Sequence, residues 1–182
     1  MDFIIRKATY EDIPAIMQVM EEVQKVIEHP EWFCSDSREY MMEHIENHGF
    51  TIVAEAESEP KSAPVSNTTG CPLAGFFLIK YPGLTEENLG WLLDFNEGKL
   101  RKTVHMDMAA VHPGYQGNCL QNRMLKKAEE ILSESTAFSY LMATVHPDNQ
   151  YSLNNMLKNG YQIVKTTELY GGLPRHVLLK TL

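Results

Sequence analysis

Apolar side chains recur along this chain in two periods, and each change of period marks a new element. Residues 3–7 carry a short strand-like run, Phe3-Ile4-Ile5 followed by Arg6 and Lys7. Ile13, Ile16, Met17, Met20, Val23 and Ile27 then follow at the spacing of one helical face. Thr9 and Asp12 stand before them at capping-box spacing, with Asp in place of the usual Glu, and Pro14 fits a first turn, where no intrahelical donor is lost. A second helix is expected over residues 37–47, closed by His48-Gly49. Residues 50–56 and 73–81 are apolar and β-branched or aromatic, as strands are. Residues 57–72, rich in Ser, Pro, Thr, Asn and Glu, read as a long mobile hairpin loop between them. Residues 82–100 are the least patterned, with a helical piece within 86–95. A strand over 102–111 leads to a helix from Gln116 or Gly117 to about Ser133, striped by Leu120, Met124, Ala128, Ile131 and Leu132. A strand over 140–145, a short helix after His146-Pro147-Asp148-Asn149 ending near Asn159-Gly160, and strands over 161–167 and 175–179 complete the pattern.

Strand, two helices, three strands, helix, strand, helix and two strands is the order of an α+β fold with a largely antiparallel sheet. The two strand-helix units of the C-terminal half predict one parallel pair, joined by a right-handed crossover. A chain of 182 residues is read as one domain over 1–182, since neither flank of the 57–72 loop is long enough to fold alone. Hydrophobic residues at 43% and charged residues at 22% are ordinary globular composition. The formal net charge of −8 argues against a nucleic-acid partner and suits either a solvated acidic surface or a cationic small molecule or peptide. No apolar run approaches the roughly 20 residues of a membrane helix, and the opening residues do not form a signal peptide, so no membrane partner is expected. Cys34, Cys71 and Cys119 have no metal-ligand spacing and are odd in number. A reduced, cytoplasmic setting without a metal site follows.

The stretch from Ala109 to Gln121 carries the chemistry. An apolar strand ends at Val111, His112-Pro113-Gly114 turns the chain, and a polar loop with Gly117 runs straight into a helix. Such a junction leaves several N–H groups unpaired and pointing one way, with the helix dipole behind them, which makes it a site for a phosphate-bearing ligand.

These residues, in this order, resemble the GNAT superfamily of acyl-CoA-dependent N-acetyltransferases over essentially the whole chain. Ile5-Arg6-Lys7-Ala8-Thr9 with Glu11-Asp12 and Ile16 is similar to the family's first strand and helix. Val111-His112-Pro113-Gly114-Tyr115-Gln116-Gly117-Asn118 resembles its acetyl-CoA loop, which usually reads Val-x-Pro, then Tyr, then Arg or Gln, then Gly-x-Gly. Asn149 with Ser152, followed by Gly160-Tyr161, is similar to a late Asn-x-x-Ala … Gly-Phe motif. The resemblance implies a GNAT fold, a mostly antiparallel mixed sheet with a splayed parallel strand pair and flanking helices, and acetyl-CoA as cofactor. It implies pyrophosphate contacts from the main chain of Gln116, Gly117, Asn118, Cys119, Leu120 and Gln121. Ala109, Ala110 and Val111 would pair with the pantetheine arm in the splayed gap, with a bulge at the alanines. A main-chain N–H near Ala109 would meet the thioester oxygen. Asn149 would cap its helix and touch the cofactor, with Ser152 one turn on.

Two departures from the family stand out. Cys119 replaces its second glycine, costing little at negative φ and straining the backbone at positive φ. Met156 stands seven residues after Asn149, where the family commonly has the tyrosine that protonates the leaving thiolate. Tyr115, Tyr151 and Tyr170 are the phenols that could replace it. For the base that deprotonates an amine, period-two alternation puts His105 and Asp107 on one side of their strand, with Ala109 and Val111. Asp107 is favoured because it can also bind a cationic amine. His112 and His146 read as turn residues, and Cys119 is not expected to be a nucleophile. Trp32, Phe33, Trp91 and Phe95, with nearby acidic residues, predict an aromatic-lined acceptor pocket of negative potential. The expected function is acetyl transfer from acetyl-CoA to a primary amine of a small molecule or peptide by direct attack, with a homodimer possible through exposed C-terminal strand edges. The alternatives are a catalytically weak CoA-binding or sensing domain of the same fold, and a nucleotide-binding α/β protein, against which the missing GxGxxG and P-loop sequences count.

Overall fold

The computed structural model describes residues 1–57 and 73–182; the hairpin loop expected at 57–72 and Cys71 therefore lie almost wholly outside the described residues. The chain runs β1 (Phe3–Lys7), α1 (Ile13–Val26), α2 (Arg38–His44), β2 (Gly49–Ala56), β3 (Leu73–Lys80), α3 (Glu97–Leu100), β4 (Thr103–Val111), α4 (Leu120–Ser133), β5 (Tyr140–Val145), α5 (Gln150–Lys158), β6 (Gln162–Leu169) and β7 (Leu173–Thr181). The strands form one sheet in the order β1-β2-β3-β4-β5-β7-β6. The β4–β5 pair is parallel and its neighbours are antiparallel, so the expected α+β mixed sheet is present. Among the described residues, no helix is long and apolar enough to cross a membrane.

Alternation along the central strands feeds a core on each face. Ile52, Ala54, Phe77, Ile79, Val104 and Met106 pack under α4 against Met124, Ala128 and Leu132. Val53, Phe76, Leu78, Met108 and Ala110 pack against Ile13, Ile16 and Met20 of α1 and Met41 of α2. Met106 and Met108 thus face opposite sides, although they are two residues apart. The reason is a bulge: Ile79 pairs with Met106 and Leu78 with Met108, so Asp107 is an extra residue in β4. The bulge lies at Asp107 and not at Ala109-Ala110, where the small side chains pointed. It also overturns the expected side-sharing, because Ala109 and Val111 turn to the α4 core while Asp107 faces α2.

Helix α4 begins at Leu120, later than the expected Gln116 or Gly117. Pro113–Tyr115 first form a 3-10 turn, and Gly117 at φ 83° and Cys119 at φ 54° then twist the loop through left-handed conformations. A β-carbon at positive φ crowds the following carbonyl, which costs roughly 1–2 kcal/mol. The Cys119 side chain is exposed and makes no cap hydrogen bond. Cys119→Gly relieves that strain, less the entropy that glycine adds to the unfolded chain, about 0.5–1 kcal/mol. The expected outcome is a gain of about 0.5–1 kcal/mol, seen as a higher urea midpoint at unchanged slope. An unmoved or lower midpoint would show that the loop carries no strain at this residue.

Candidate active site

A cleft of about 1550 Å³ opens where β4 and β5 part. Pockets for single small ligands run to roughly 300–1,000 Å³, so this one has room for a large ligand and a second molecule.

One end of the cleft is built from main chain. The β4–β5 ladder pairs Thr103 with Tyr140, Val104 with Leu141 and His105 with Met142, and goes no further. On its other edge β4 stays paired with β3 as far as Val111, and the His112 N–H then donates to the Ala74 carbonyl at 2.9 Å. Antiparallel pairing alternates, so Ala110 also turns its polar groups toward β3, while Ala109 and Val111 turn theirs toward the parted β5. Ala109 and Val111 therefore hold main-chain donors and acceptors open to the cleft; Ala110 lines it, but its polar groups belong to the sheet.

The start of α4 closes this end. Its first i→i−4 bond runs from the Arg123 N–H to the Cys119 carbonyl, so the N–H groups of Leu120, Gln121 and Asn122 precede the helical ladder. The Asn118 amide donates to the Tyr115 carbonyl at 2.9 Å and pins the loop. A Cβ on Gly117 would meet nothing within 4 Å, so the backbone there faces open space. Asn149 caps α5, accepting from the Ser152 N–H at 3.1 Å, and the Gln121 amide reaches the Ser152 hydroxyl at 3.4 Å. Gln116, Gly117, Asn118, Cys119, Leu120 and Gln121 thus meet Asn149 and Ser152 along one wall of the cleft. A polar main-chain edge leading to a bare helix N-terminus suits a long cofactor with an anionic end.

The other end is built from side chains. Tyr40 of α2 donates to the Asp107 carboxylate at 2.9 Å. Asp107 opens onto the cleft but lies deep in the protein, and lost solvation pushes its pKa up, against the Tyr40 hydrogen bond and the charge of Lys80. Lys80 pairs with Glu87 and lies 5.2 Å from the centre of the Tyr40 ring. Asp36, beside them on the cleft wall, is also shifted up by desolvation. His105 has a different fate. Its Nε2 accepts the Leu89 N–H at 3.1 Å, and burial, with the charge of Lys80, drives its pKa down to about 3. His105 is a neutral acceptor that holds the 3-10 turn Leu89–Leu93 against β4; the lone pair a base would use is already engaged.

Trp32, Phe33 and Trp91 line the acceptor end as expected. Phe95 does not: it packs on Tyr140, ring centres 5.0 Å apart, in a small cluster behind the wall. His112 and His146 are turn residues, each taking the N–H two residues on at its Nδ1. Met156 is buried against the α4 core. Of the three phenols, Tyr115 is inside the core and Tyr151 is 88% exposed. Tyr170, at the β6–β7 turn, shares a 3.1 Å hydrogen bond with Thr144, just past the last β4–β5 pair. Tyr40, Lys80, Asp36, Glu87, Thr144, Tyr170 and Arg175 form this end of the site, and of these only Tyr170 stood out in the sequence. Lys80 had a signal, a lone charge closing an apolar strand; Arg175 had another, sharing a period-two face with buried Val177.

The family model of the Acetyltransferase (GNAT) family matches residues 17–161. No curated protein matches the chain. Among solved structures, the NatC complex bound to Gag peptide and CoA is similar at 14% identity and TM-score 0.69, over 100% of this chain and 99% of that one. The yncA protein of Salmonella typhimurium with its cofactor acetyl-CoA is similar at 13% identity and TM-score 0.66, over 100% and 94%. A GCN5-related N-acetyltransferase from Kribbella flavida is similar at 15% identity and TM-score 0.69, over 99% and 98%. At these identities the structures speak for the fold alone, and the family model speaks for the family. The chain belongs to the GNAT acetyltransferase family, whose acyl donor is acetyl-CoA.

Proposed function

We propose that this protein moves the acetyl group of acetyl-CoA to a primary amine of a small molecule or peptide by direct attack, inside the cell. One observation carries the reading: the parting of β4 from β5 leaves Ala109 and Val111 open to the cleft, and the bulge directly before them aims a carboxylate, Asp107, at the same place. Acetyl-CoA, when bound, supplies the activated acyl group and a thiolate leaving group. The N–H groups around Gly117 and the first turn of α4 hold its pyrophosphate. The polar groups of Ala109 and Val111 hold the pantetheine arm, and the Ala109 N–H meets the charge that develops on the thioester oxygen.

Asp107 receives the ammonium of the acceptor and takes its proton. The raised pKa brings the carboxylate nearer to that of an amine, as a base requires, and Tyr40 fixes the rotamer. Tyr170, oriented by Thr144, gives the departing thiolate the proton that Met156 cannot, and is reprotonated as the acylated nitrogen sheds its second proton. His105 serves by position: it holds the wall that carries Leu89 and Trp91.

Asp107→Asn is expected to lower kcat/KM by roughly 10²–10⁴ in a thiol-release assay and to remove the acidic limb of the pH profile, which lies above the usual carboxylate pKa near ~4. Linkage gives the opposite sign for stability. A raised folded-state pKa means the fold favours the protonated group, so its contribution is whole below the ordinary carboxylate pKa and is lost as pH rises through the raised value. Asp107→Asn is therefore expected to be at least as stable as the parent at pH 7 by urea unfolding. Unchanged kcat/KM would remove Asp107 as the base. Gly117→Asp sets a negative charge against the pyrophosphate; roughly hundredfold weaker acetyl-CoA binding by calorimetry is expected, together with a stability loss of about 1–2 kcal/mol, because a β-carbon at φ 83° is strained. Unchanged affinity would place the cofactor elsewhere. Tyr170→Phe is expected to lower kcat about ten- to hundredfold and leave KM for acetyl-CoA in place; a full-rate variant would leave the thiolate to water.

A further inference from the structure

Arg175, in β7, is 4% exposed and lines the acceptor end of the cleft. Its hydrogen bonds go to neutral acceptors: the carbonyl of Glu31 at 2.6 Å, the carbonyl of Pro174 at 3.2 Å and the sulfur of Cys34 at 3.7 Å. Among the described residues it forms no ion pair. The other partly covered cations among the described residues are paired: Arg6 with Asp12 and Glu55, Lys80 with Glu87, Lys127 with Glu130, Lys180 with Glu129. A chain with 24 acidic against 16 basic residues has carboxylates to spare, yet none among the described residues is set against this guanidinium. A guanidinium cannot shed its charge, and burying it without an anion costs free energy that carbonyl dipoles offset only in part.

The position of Arg175 says what the missing anion belongs to. The guanidinium lies 5.6 Å from the centre of the Tyr170 ring, and the Tyr170 hydroxyl is at Thr144, at the mouth of the parted strands. The charges of Asp107 and of Arg175 both act on that phenol, in opposite directions. The acceptor end is thus bipolar. Carboxylates of Asp36, Glu87 and Asp107, with Lys80 paired to Glu87, mark one part of it, and the Arg175 guanidinium beside Tyr170 marks another.

We propose that the amine acceptor is a small zwitterion, a molecule of the amino-acid class, whose ammonium is received by Asp107 and whose carboxylate is received by Arg175. These bonds use three of the five guanidinium N–H groups and leave donors for a carboxylate, and binding supplies the counter-ion that the fold withholds. Trp32 and Phe33 flank the Glu31 carbonyl and Cys34 sulfur that hold the guanidinium, so the acceptor's side chain meets an aromatic wall. This proposal rests on the acetyltransferase reading above.

The test uses matched pairs: free amino acids and the same compounds as carboxamides, which keep the amine and lose the negative charge. In a thiol-release assay with acetyl-CoA the acid is expected to exceed its amide at least about thirtyfold in kcat/KM, through KM. R175Q is expected to bring acid and amide to the same value, and R175K to restore part of the difference. Equal use of acid and amide by the parent, a preference for C-terminally amidated peptides, or an acid-to-amide ratio untouched in R175Q would overturn the proposal and leave Arg175 as a tie between β7 and the Glu31 loop. A second titration does not need turnover. N-acetyl amino acids and their amides are titrated by calorimetry against the parent, R175Q and R175K with CoA present. Acid binding lost in R175Q supports the carboxylate site even if the assay shows no transfer, in which case the reaction reading fails separately. No acid-over-amide preference in binding overturns the site itself. Unchanged acetyl-CoA affinity shows that R175Q folds; should it not fold, the parent and R175K decide.

Discussion

The site depends on one break in a hydrogen-bond ladder. β4 and β5 pair at three positions and then separate, while β4 remains bonded to β3 from His105 to Val111. A strand in the middle of a sheet ordinarily spends its polar groups on both neighbours. Here Ala109 and Val111 spend theirs on neither, in the interior of a seven-stranded sheet. Main-chain groups inside a sheet are almost always paired, so an edge left open beside a cleft is suited to take the polar groups of a ligand. The cores on the two faces make it possible: α4 packs under one side of β4 and α1 under the other, so the strand keeps its place without β5.

The bulge at Asp107 joins this edge to the chemistry. It reverses the side that β4 presents between Met106 and Met108, and the residue it leaves over is a carboxylate facing α2. Backbone and side chain are thereby set by the same irregularity. The surrounding ionisable groups divide by partner. His105 is neutral and engaged with Leu89, Lys80 is held by Glu87, and Asp107 accepts from the Tyr40 phenol. The last arrangement leaves a carboxylate able to exchange a proton.

Most elements were legible because period alone decides them: the stripe of α1, the stripe of α4 and the strands under them lie close to where the spacing puts them. Asn149 as a cap, and His112 and His146 as turn residues, follow from local chemistry. The failures have a common cause. Alternation along β4 assumed an unbroken ladder, and no single residue announces a bulge, so Ala109 and Val111 were placed with Asp107 and the bulge was put at the alanines. The start of α4 was set too early because Gln116 and Gly117 are polar and small, like helix caps; the left-handed turn at Cys119 needs the loop's closure against Tyr115 to hold it. Phe95 looked like a pocket residue because its partner, Tyr140, is far away in sequence. The place of Arg175 is hidden in the sequence for the same reason, since its contacts with Glu31 and Cys34 join opposite ends of the chain.

Amide hydrogen exchange at single-residue resolution, with and without acetyl-CoA, tests the central claim most directly. If the parted edge of β4 is where the cofactor lies, the amides of Ala109 and Val111 gain protection on binding, together with Gly117 and the first turn of α4. The amide of Ala110, already in the ladder with β3, changes little. Binding that leaves Ala109 and Val111 exchanging as fast as before would contradict the account, because the open ladder would then serve some other purpose.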